Sequence, residues 1–303
     1  MWMSLVRRIP FIYEIQDLWP ESLQSTGMVN NSFVLNAITK LAQIVYRRAA
    51  AISVISGGFR ENLIGKGVPE ERIHVIPNWA DESVYRPVCP DSQLATQHGL
   101  AGRFNVVFAG NIGPAQGLDS VLEAAALLKD LPTLQIVLIG DGLTTSDLKE
   151  QAQRDRLNNV CFIDRQPAER MASFLALADV LLVHLRGDAL FEVTIPSKTF
   201  SYLACGKPIL MAVPGDAAAV VQQARAGLCC ASCDPVAMAR ALRELFFMAP
   251  ETRRAMGQAG RREFLARYSE RVLLDRYEAL FRLVSRAGRN QRSAISPERQ
   301  SIG

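Results

Sequence analysis

Short apolar runs alternate with amphipathic stretches along almost the whole chain, and several of the runs end in a glycine turn. Residues 104–109 (FNVVFA) lead into Gly110-Asn111-Ile112-Gly113, and residues 134–139 (LQIVLI) into Gly140-Asp141-Gly142. A continuous apolar run of this length is a strand covered on both faces. Strands separated by helices pair in parallel through right-handed crossovers. The pattern therefore predicts an α/β fold of doubly wound type. In such sheets, ligands bind beyond the carboxyl ends of the strands, where these glycine turns lie.

The alternation falls into two sets. The first predicts strands over 10–16, 51–55 and 72–76, with helices over 33–48 and from a Ser56 cap to Gly65. Residues 80–103, with Pro87, Pro90 and Gly102 and little periodicity, read as the connection between domains. The second set predicts strands over 104–109, 134–139, 159–163, 179–183 and 207–212, with helices over 117–129, 145–153 and 168–177. Two or three more helices come after these. Ser269 is the expected cap of a last helix with Val272, Leu273, Tyr277, Leu280 and Phe281 on one face. The expected division is a first domain over 1–100 and a second over 101–268. The helix over 269–286 returns to the first domain, and a polar, disordered tail covers 287–303.

Composition narrows the function. The net charge of +4 is too small to argue for nucleic acid, and the 49% hydrophobic, 21% charged balance is that of an ordinary globular chain. Six cysteines form no spaced disulfide framework, and His74, His98 and His184 are scattered, so neither a disulfide scaffold nor a metal centre is expected. No apolar run reaches bilayer-spanning length, and MWMSLVRRIPFIYEIQD lacks the form of a signal peptide. These features place the chain in the cytoplasm.

The stretch EVTIPSKTFSYLACGKPIL, residues 192–210, carries the clearest chemical signal. Pro196 precedes a helix opening with Ser197-Lys198, and Gly206-Lys207-Pro208 stops it before an apolar strand. Helix-start amides, the dipole and a lysine together suit a diphosphate; an ordinary α/β helix with an exposed lysine fits the same residues. Gly110–Gly117 lacks the GxGxxG and GxxxxGK[ST] spacings, so neither a dinucleotide fingerprint nor a P-loop is indicated.

Taken in order, several segments resemble family 4 glycosyltransferases of GT-B architecture. They are Asp17-Leu18-Trp19-Pro20-Glu21, Val54-Ile55-Ser56, Val75-Ile76-Pro77-Asn78-Trp79, Phe108-Ala109-Gly110-Asn111-Ile112-Gly113, Ile139-Gly140-Asp141-Gly142 and Pro196-Ser197-Lys198. The resemblance runs from residue 10 to about 285. It is nearest to the bacterial subgroup that builds O-antigen, capsule and exopolysaccharide units, including N-acetyl-L-fucosamine transferases. It implies two Rossmann-like domains facing across a cleft and retaining transfer from a nucleotide-sugar, usually UDP-linked, without an obligatory metal or other cofactor. The implied acceptor is a glycan or a polyprenyl-diphosphate-linked sugar, which would bring the protein to the inner face of the plasma membrane. The helix over 33–48, with Lys40, Arg47 and Arg48, fits such peripheral contact and fits a solvated face as well.

Carried over by position, the resemblance makes Gly110, Asn111, Gly113, Gln116, Ser197, Lys198 and Ser201 donor-binding residues. It sets Arg165 and Gln166 where the nucleotide base is held. Asp17, Glu192 and Lys198 become the catalytic candidates. Asp17 reads equally as a turn cap, and Trp19 as a ring packed beneath that turn. Asn111 and Gln116 stand where many members have Arg and Lys. The family's paired glutamates fall on Val193 and Ser201, with Glu192 one place out of register. Three strands in the first set, where about six are expected, imply a first domain incomplete at its front. A chain lacking that front could serve as a non-catalytic nucleotide-sugar-binding subunit completed by a partner.

Overall fold

In the six strands after residue 100, side chains divide between two cores with a period of two. Phe104, Val106 and Phe108 enter one core, and Val107 and Ala109 the other. The computed structural model describes residues 9–25 and 31–295, and these form two units. One comprises the described residues up to Pro77 together with those from Leu273 onward; the other is Asn78–Val272.

The first unit has a three-stranded parallel sheet, β1 (Ile12–Ile15), β2 (Ala51–Val54) and β3 (Ile73–Val75), paired in chain order. Helix α1 (Glu21–Ser25) is short. Helix α2 (Ser32–Arg48) opens at Asn31, whose side chain accepts from the N–H groups of Phe33 and Val34. Helix α3 (Gly57–Gly65) opens at Ser56, whose hydroxyl accepts from Phe59 N–H at 3.1 Å, as the sequence predicts. Leu18 is buried, whereas the expected buried ring, Trp19, is 49% exposed. The chain beyond β1 needs one apolar plug, and Leu18 supplies it.

The second unit opens with α4 (Ser92–Gln97), capped by Asp91, inside the stretch expected to be a bare connection. Ala80, Leu94, Ala95 and Leu100 join the core of this unit, so residues 78–100 belong to the second unit rather than to a linker. The sheet comprises β4 (Phe104–Ala109), β5 (Leu134–Ile139), β6 (Val160–Ile163), β7 (Val180–His184), β8 (Ile209–Ala212) and β9 (Gly227–Cys229). All pairs are parallel, in the order β6-β5-β4-β7-β8-β9. The order reverses direction between β4 and β7. Helices α5 (Leu118–Ala126), α6 (Thr145–Arg154) and α11 (Pro235–Phe247) cover one face. Helices α7 (Ala168–Ala176), α9 (Lys198–Cys205), α10 (Asp216–Gln223) and α12 (Pro250–Arg267) cover the other. The short α8 (Ala189–Glu192) precedes α9.

Helix α13 (Glu270–Ile295) sends Leu273, Leu280 and Val284 into a cluster with Ala51 and Ile76 of the first unit. Phe281, expected on that face, is 53% exposed. Ser269 donates its hydroxyl to Leu265 C=O at 3.2 Å, reaching back along the chain. The segment expected to be disordered from 287 is helical as far as Ile295; residues 296–303 lie outside the described residues. Among the described residues no helix is long and apolar enough to cross a membrane.

Leu273 is fully buried where α13 begins its contact with Ala51. Leu273→Ala is expected to destabilise the first unit by about 2–5 kcal/mol, read as a lowered denaturation midpoint in urea.

Candidate active site

The ladder between β4 and β7 holds only Val106 with Val180 and Val107 with Leu181, so the two strands part before they end. Into the split reaches the hydroxyl of Tyr202, a fully buried side chain of α9. It accepts from Ala109 N–H at 2.9 Å and donates to Ala109 C=O at 3.3 Å. Burial pushes the phenol's pKa well up, so it stays neutral and keeps that donor. The tyrosine sits one helical turn after Lys198 and fixes where the start of α9 meets the end of β4.

That start is aimed at the Gly110 turn. A Cβ built on Gly110 would lie 2.9 Å from Lys198 Nζ, and the Gly110 φ of +142° is one that side chains avoid. The ammonium rests 3.5 Å from the centroid of the Phe108 ring and is buried with no hydrogen-bond partner. Desolvation pulls its pKa down to about 7. An apolar pocket with an aromatic floor thus holds a cation that lacks a counter-ion, and an incoming oxyanion would supply one.

The amides around this ammonium are partly committed. Gly110 N–H donates to Ile139 C=O and Ile112 N–H to Asp141 C=O, each at 2.9 Å. Gly113 N–H donates to the side-chain oxygen of Gln116 at 3.0 Å, and the Asn111 amide reaches the same oxygen at 3.3 Å. Of the backbone N–H groups from Gly110 to Gly113, only that of Asn111 makes no hydrogen bond, its bond to Gln116 coming from the side chain, and the Gly113 N–H joins it if Gln116 swings away. In α9, Thr199 and Phe200 donate to Pro196 and Ser197 C=O, which leaves the amides of Ser197 and Lys198 as candidate donors. Ser197 is exposed and makes no side-chain cap bond. The two glycine turns are stacked: a Cβ on Gly140 would fall 1.9 Å from Gly110 C=O, so only glycine fits there.

Five predicted residues stand apart from this cluster. Glu192 is exposed at the end of α8 and pairs with no cation among the described residues. Ser201 lies beside the Tyr85 hydroxyl, whose pKa burial raises and Ser201 draws back down. Arg165 is exposed beyond β6, with Gln166 beside it donating to Asp164 C=O at 3.0 Å; both lie on the carboxyl edge of the sheet. Asp17 belongs to the first unit and is exposed just past β1. Among the described residues no group of His, Cys, Asp or Glu could hold a metal.

Sequence reasoning missed the residues that brace the site. His184, buried at the end of β7, donates from Nδ1 to Gln116 C=O at 2.6 Å; its Nε2 lies 3.2 Å from the Ser120 hydroxyl and 3.3 Å from Cys233 N. Burial lowers its pKa, against the pull of the Gln116 carbonyl, which favours the neutral tautomer with the proton on Nδ1. Arg186 donates to Pro114 C=O at 2.8 Å and pairs with Asp119 at 3.2 Å. Together they hold the 114–117 turn against β7. The available signal was a histidine closing an otherwise apolar strand next to a glycine loop.

Tyr202→Phe is expected to cost about 1–3 kcal/mol, because it strands a buried Ala109 N–H. Lys198→Met is expected to stabilise the unliganded protein near neutral pH by removing an uncompensated buried cation. The folded state favours the neutral amine, so the unfolded chain binds more protons between about 7 and 10.5, and wild-type stability rises with pH across that window. Melting temperatures against pH should show that rise in wild type and lose it in Lys198→Met.

Comparison with known proteins gives the family and the fold. Residues 94–263 match the family described as glycosyl transferases group 1, and residues 1–79 match the glycosyl transferase 4-like domain. "Probable glycosyltransferase WbjE" of Pseudomonas aeruginosa is 29% identical over 273 residues, 88% of this chain and 67% of that protein. "Putative colanic acid biosynthesis glycosyl transferase WcaI" of Escherichia coli K12 is 32% identical over 159 residues, 51% of this chain and 38% of that one. The chain thus spans about two thirds of the first relative's length and well under half of the second's. The crystal structure of Anabaena HepE with UDP and glucose superposes with a TM-score of 0.75 at 20% identity, covering 91% of this chain and 73% of HepE, a likeness of fold. With the family match spanning more than half of its residues, including both glycine turns and the Lys198 helix, this GT-B chain belongs to the glycosyl transferases group 1.

Proposed function

We propose that the protein takes part in retaining transfer of a sugar from a nucleotide-sugar, UDP-linked, to a glycan or lipid-linked acceptor in cell-surface polysaccharide synthesis. The observation that carries this reading is the unpaired, desolvated Lys198 ammonium beside the Gly110 turn, at the point where the strand order reverses. The UDP in HepE and the colanic acid in the name of WcaI support the donor and the pathway class.

Transfer breaks the bond between the anomeric carbon and the diphosphate oxygen, and negative charge builds on that oxygen. In this reading Lys198, with the amides of Asn111, Ser197 and Lys198, receives that charge where water is excluded. Gln116 yields the Gly113 amide as the diphosphate arrives, and Arg165 and Gln166 meet the base. The acceptor hydroxyl passes its proton to the departing diphosphate oxygen as its own oxygen bonds to the anomeric carbon from the same face, so that the configuration there is retained.

The exposed Glu192, standing apart from Lys198, favours a second reading, that of a nucleotide-sugar-binding protein without transfer activity of its own. Incubation of the purified chain with UDP-sugars and lipid-linked acceptor separates the two: turnover supports the first, and UDP binding without turnover the second.

UDP affinity is the direct test. Calorimetry should show Lys198→Met weakening UDP binding by at least about tenfold, one lost charge-assisted contact. Lys198 must gain a proton on binding when it is neutral beforehand. Wild-type affinity should therefore be level below about pH 7 and fall above it by up to about tenfold per unit, while Lys198→Met stays flat. UDP binding that is equal in both proteins at every pH would remove Lys198 from the donor site.

A further inference from the structure

A cavity of about 630 Å³ opens at the opposite edge of the second unit's sheet, where β7 and β8 begin. Its walls are the Gly206-Lys207-Pro208 turn, one face of α12 and the segment at Arg86. Six cations line it, Arg86, Lys207, Arg253, Arg254, Arg261 and Arg262, against one carboxylate, Asp179.

The helix is held tightly to the turn. A Cβ on Gly257 would lie 2.1 Å from Gly206 C=O, so α12 lies directly on the backbone there. This contact presents Arg253-Arg254 on one side of the turn and Arg261-Arg262 on the other, about 12 Å apart along the helix at 1.5 Å per residue.

The cations are oriented rather than loose. Lys207 Nζ donates to Ala176 and Ala178 C=O at 2.7 and 2.8 Å. Arg253 donates to Leu245 C=O at 3.0 Å and to Met248 C=O, with its guanidinium 4.9 Å from the Phe104 ring centroid. Arg261 donates to Ala204 C=O at 2.9 Å and stands 3.6 Å from Glu82. Carbonyl partners fix Lys207 and Arg253, which form no ion pair among the described residues, whereas Arg261 is also paired with Glu82. Arg254 pairs with Glu251 at 2.6 Å, whereas Arg86 and Arg262 are exposed and have no hydrogen bond or ion pair among the described residues. Asp179 is itself engaged, accepting from Asn105 N–H at 2.9 Å; burial pushes its pKa up, and Arg253 and Lys207 beside it pull the other way.

The carbonyls that hold these groups lie at the ends of α7, α9 and α11, so the same bonds cap helices and keep the cations on the cavity wall. A concave wall of fixed cations concentrates positive potential, and guanidinium forks match the oxygens of phosphate. The volume lies within the range of small-ligand sites. We propose that this cavity binds a phosphate-bearing anion, separately from the donor site, with Arg86 and Arg262 closing on it from either side.

Inorganic pyrophosphate and lipid vesicles test this and distinguish a soluble ligand from a headgroup. Pyrophosphate is titrated by calorimetry into wild type, Lys198→Met and the Arg86→Ala/Arg262→Ala double variant. Sedimentation with phosphatidylcholine vesicles, with and without phosphatidylglycerol, covers the lipid source. Both arginines are exposed, so the double variant should melt as wild type does. The proposal expects pyrophosphate binding kept in Lys198→Met and weakened at least about tenfold in the double variant. Binding only to phosphatidylglycerol vesicles, lost in the double variant, would support the same site with lipid as its ligand. Binding of neither probe, binding unchanged in the double variant, or pyrophosphate binding lost in Lys198→Met would overturn it.

Discussion

One hydroxyl satisfies both polar groups of Ala109 where β4 and β7 separate, and the geometry of the candidate site depends on it. Without Tyr202, the end of β4 would present an unpaired amide to an apolar core, an arrangement that native interiors avoid. With it, the start of α9 has one position relative to the Gly110 turn. Lys198 is then carried over the Phe108 ring, and the stacked Gly110 and Gly140 turns can approach only because neither has a side chain.

The electrostatic character of the site comes from what is withheld. Its ammonium has neither counter-ion nor hydrogen bond, and most of the nearby amides are already bonded to carbonyls or to Gln116. A site of this kind stores its binding capacity in one desolvated charge and a few movable donors rather than in a fully open anion nest. The same helix that starts at this lysine ends at Gly206, in the wall of the arginine-lined cavity, so α9 joins two positively charged regions at opposite edges of one sheet. The contrast between them is physical. The first buries one cation almost completely; the second fixes several cations on carbonyls and leaves them partly hydrated.

Much of the fold was legible because apolar periodicity is a local property. The strand runs FNVVFA and LQIVLI, the Ser56 cap and the helix from Lys198 to Gly206 appear where pattern and capping chemistry put them. The misses are elements that local pattern cannot mark. Strand β9 has three residues and exists through its pairing with β8, where a Cβ on Gly227 would meet Ile209 C=O at 1.8 Å. Helix α4 has six residues and two buried positions, and the core that receives Leu94 and Ala95 moves the start of the second unit to Asn78. Trp19 and Phe281 show that an apolar ring in a plausible place stays exposed when a neighbour already fills the core.

The candidate site divides along the same line. By itself the sequence determined a parallel α/β architecture, glycine turns at strand ends and a lysine opening a helix, since each depends on residue type and spacing within a few positions. Only the tertiary structure decided that Lys198 is buried and unpaired, that Gln116 occupies the Gly113 amide, that His184 and Arg186 brace the loop, and that Glu192 stands exposed. Burial, pairing and pKa depend on atoms brought together from segments tens of residues apart, and no local pattern encodes which of a chain's polar groups will find partners.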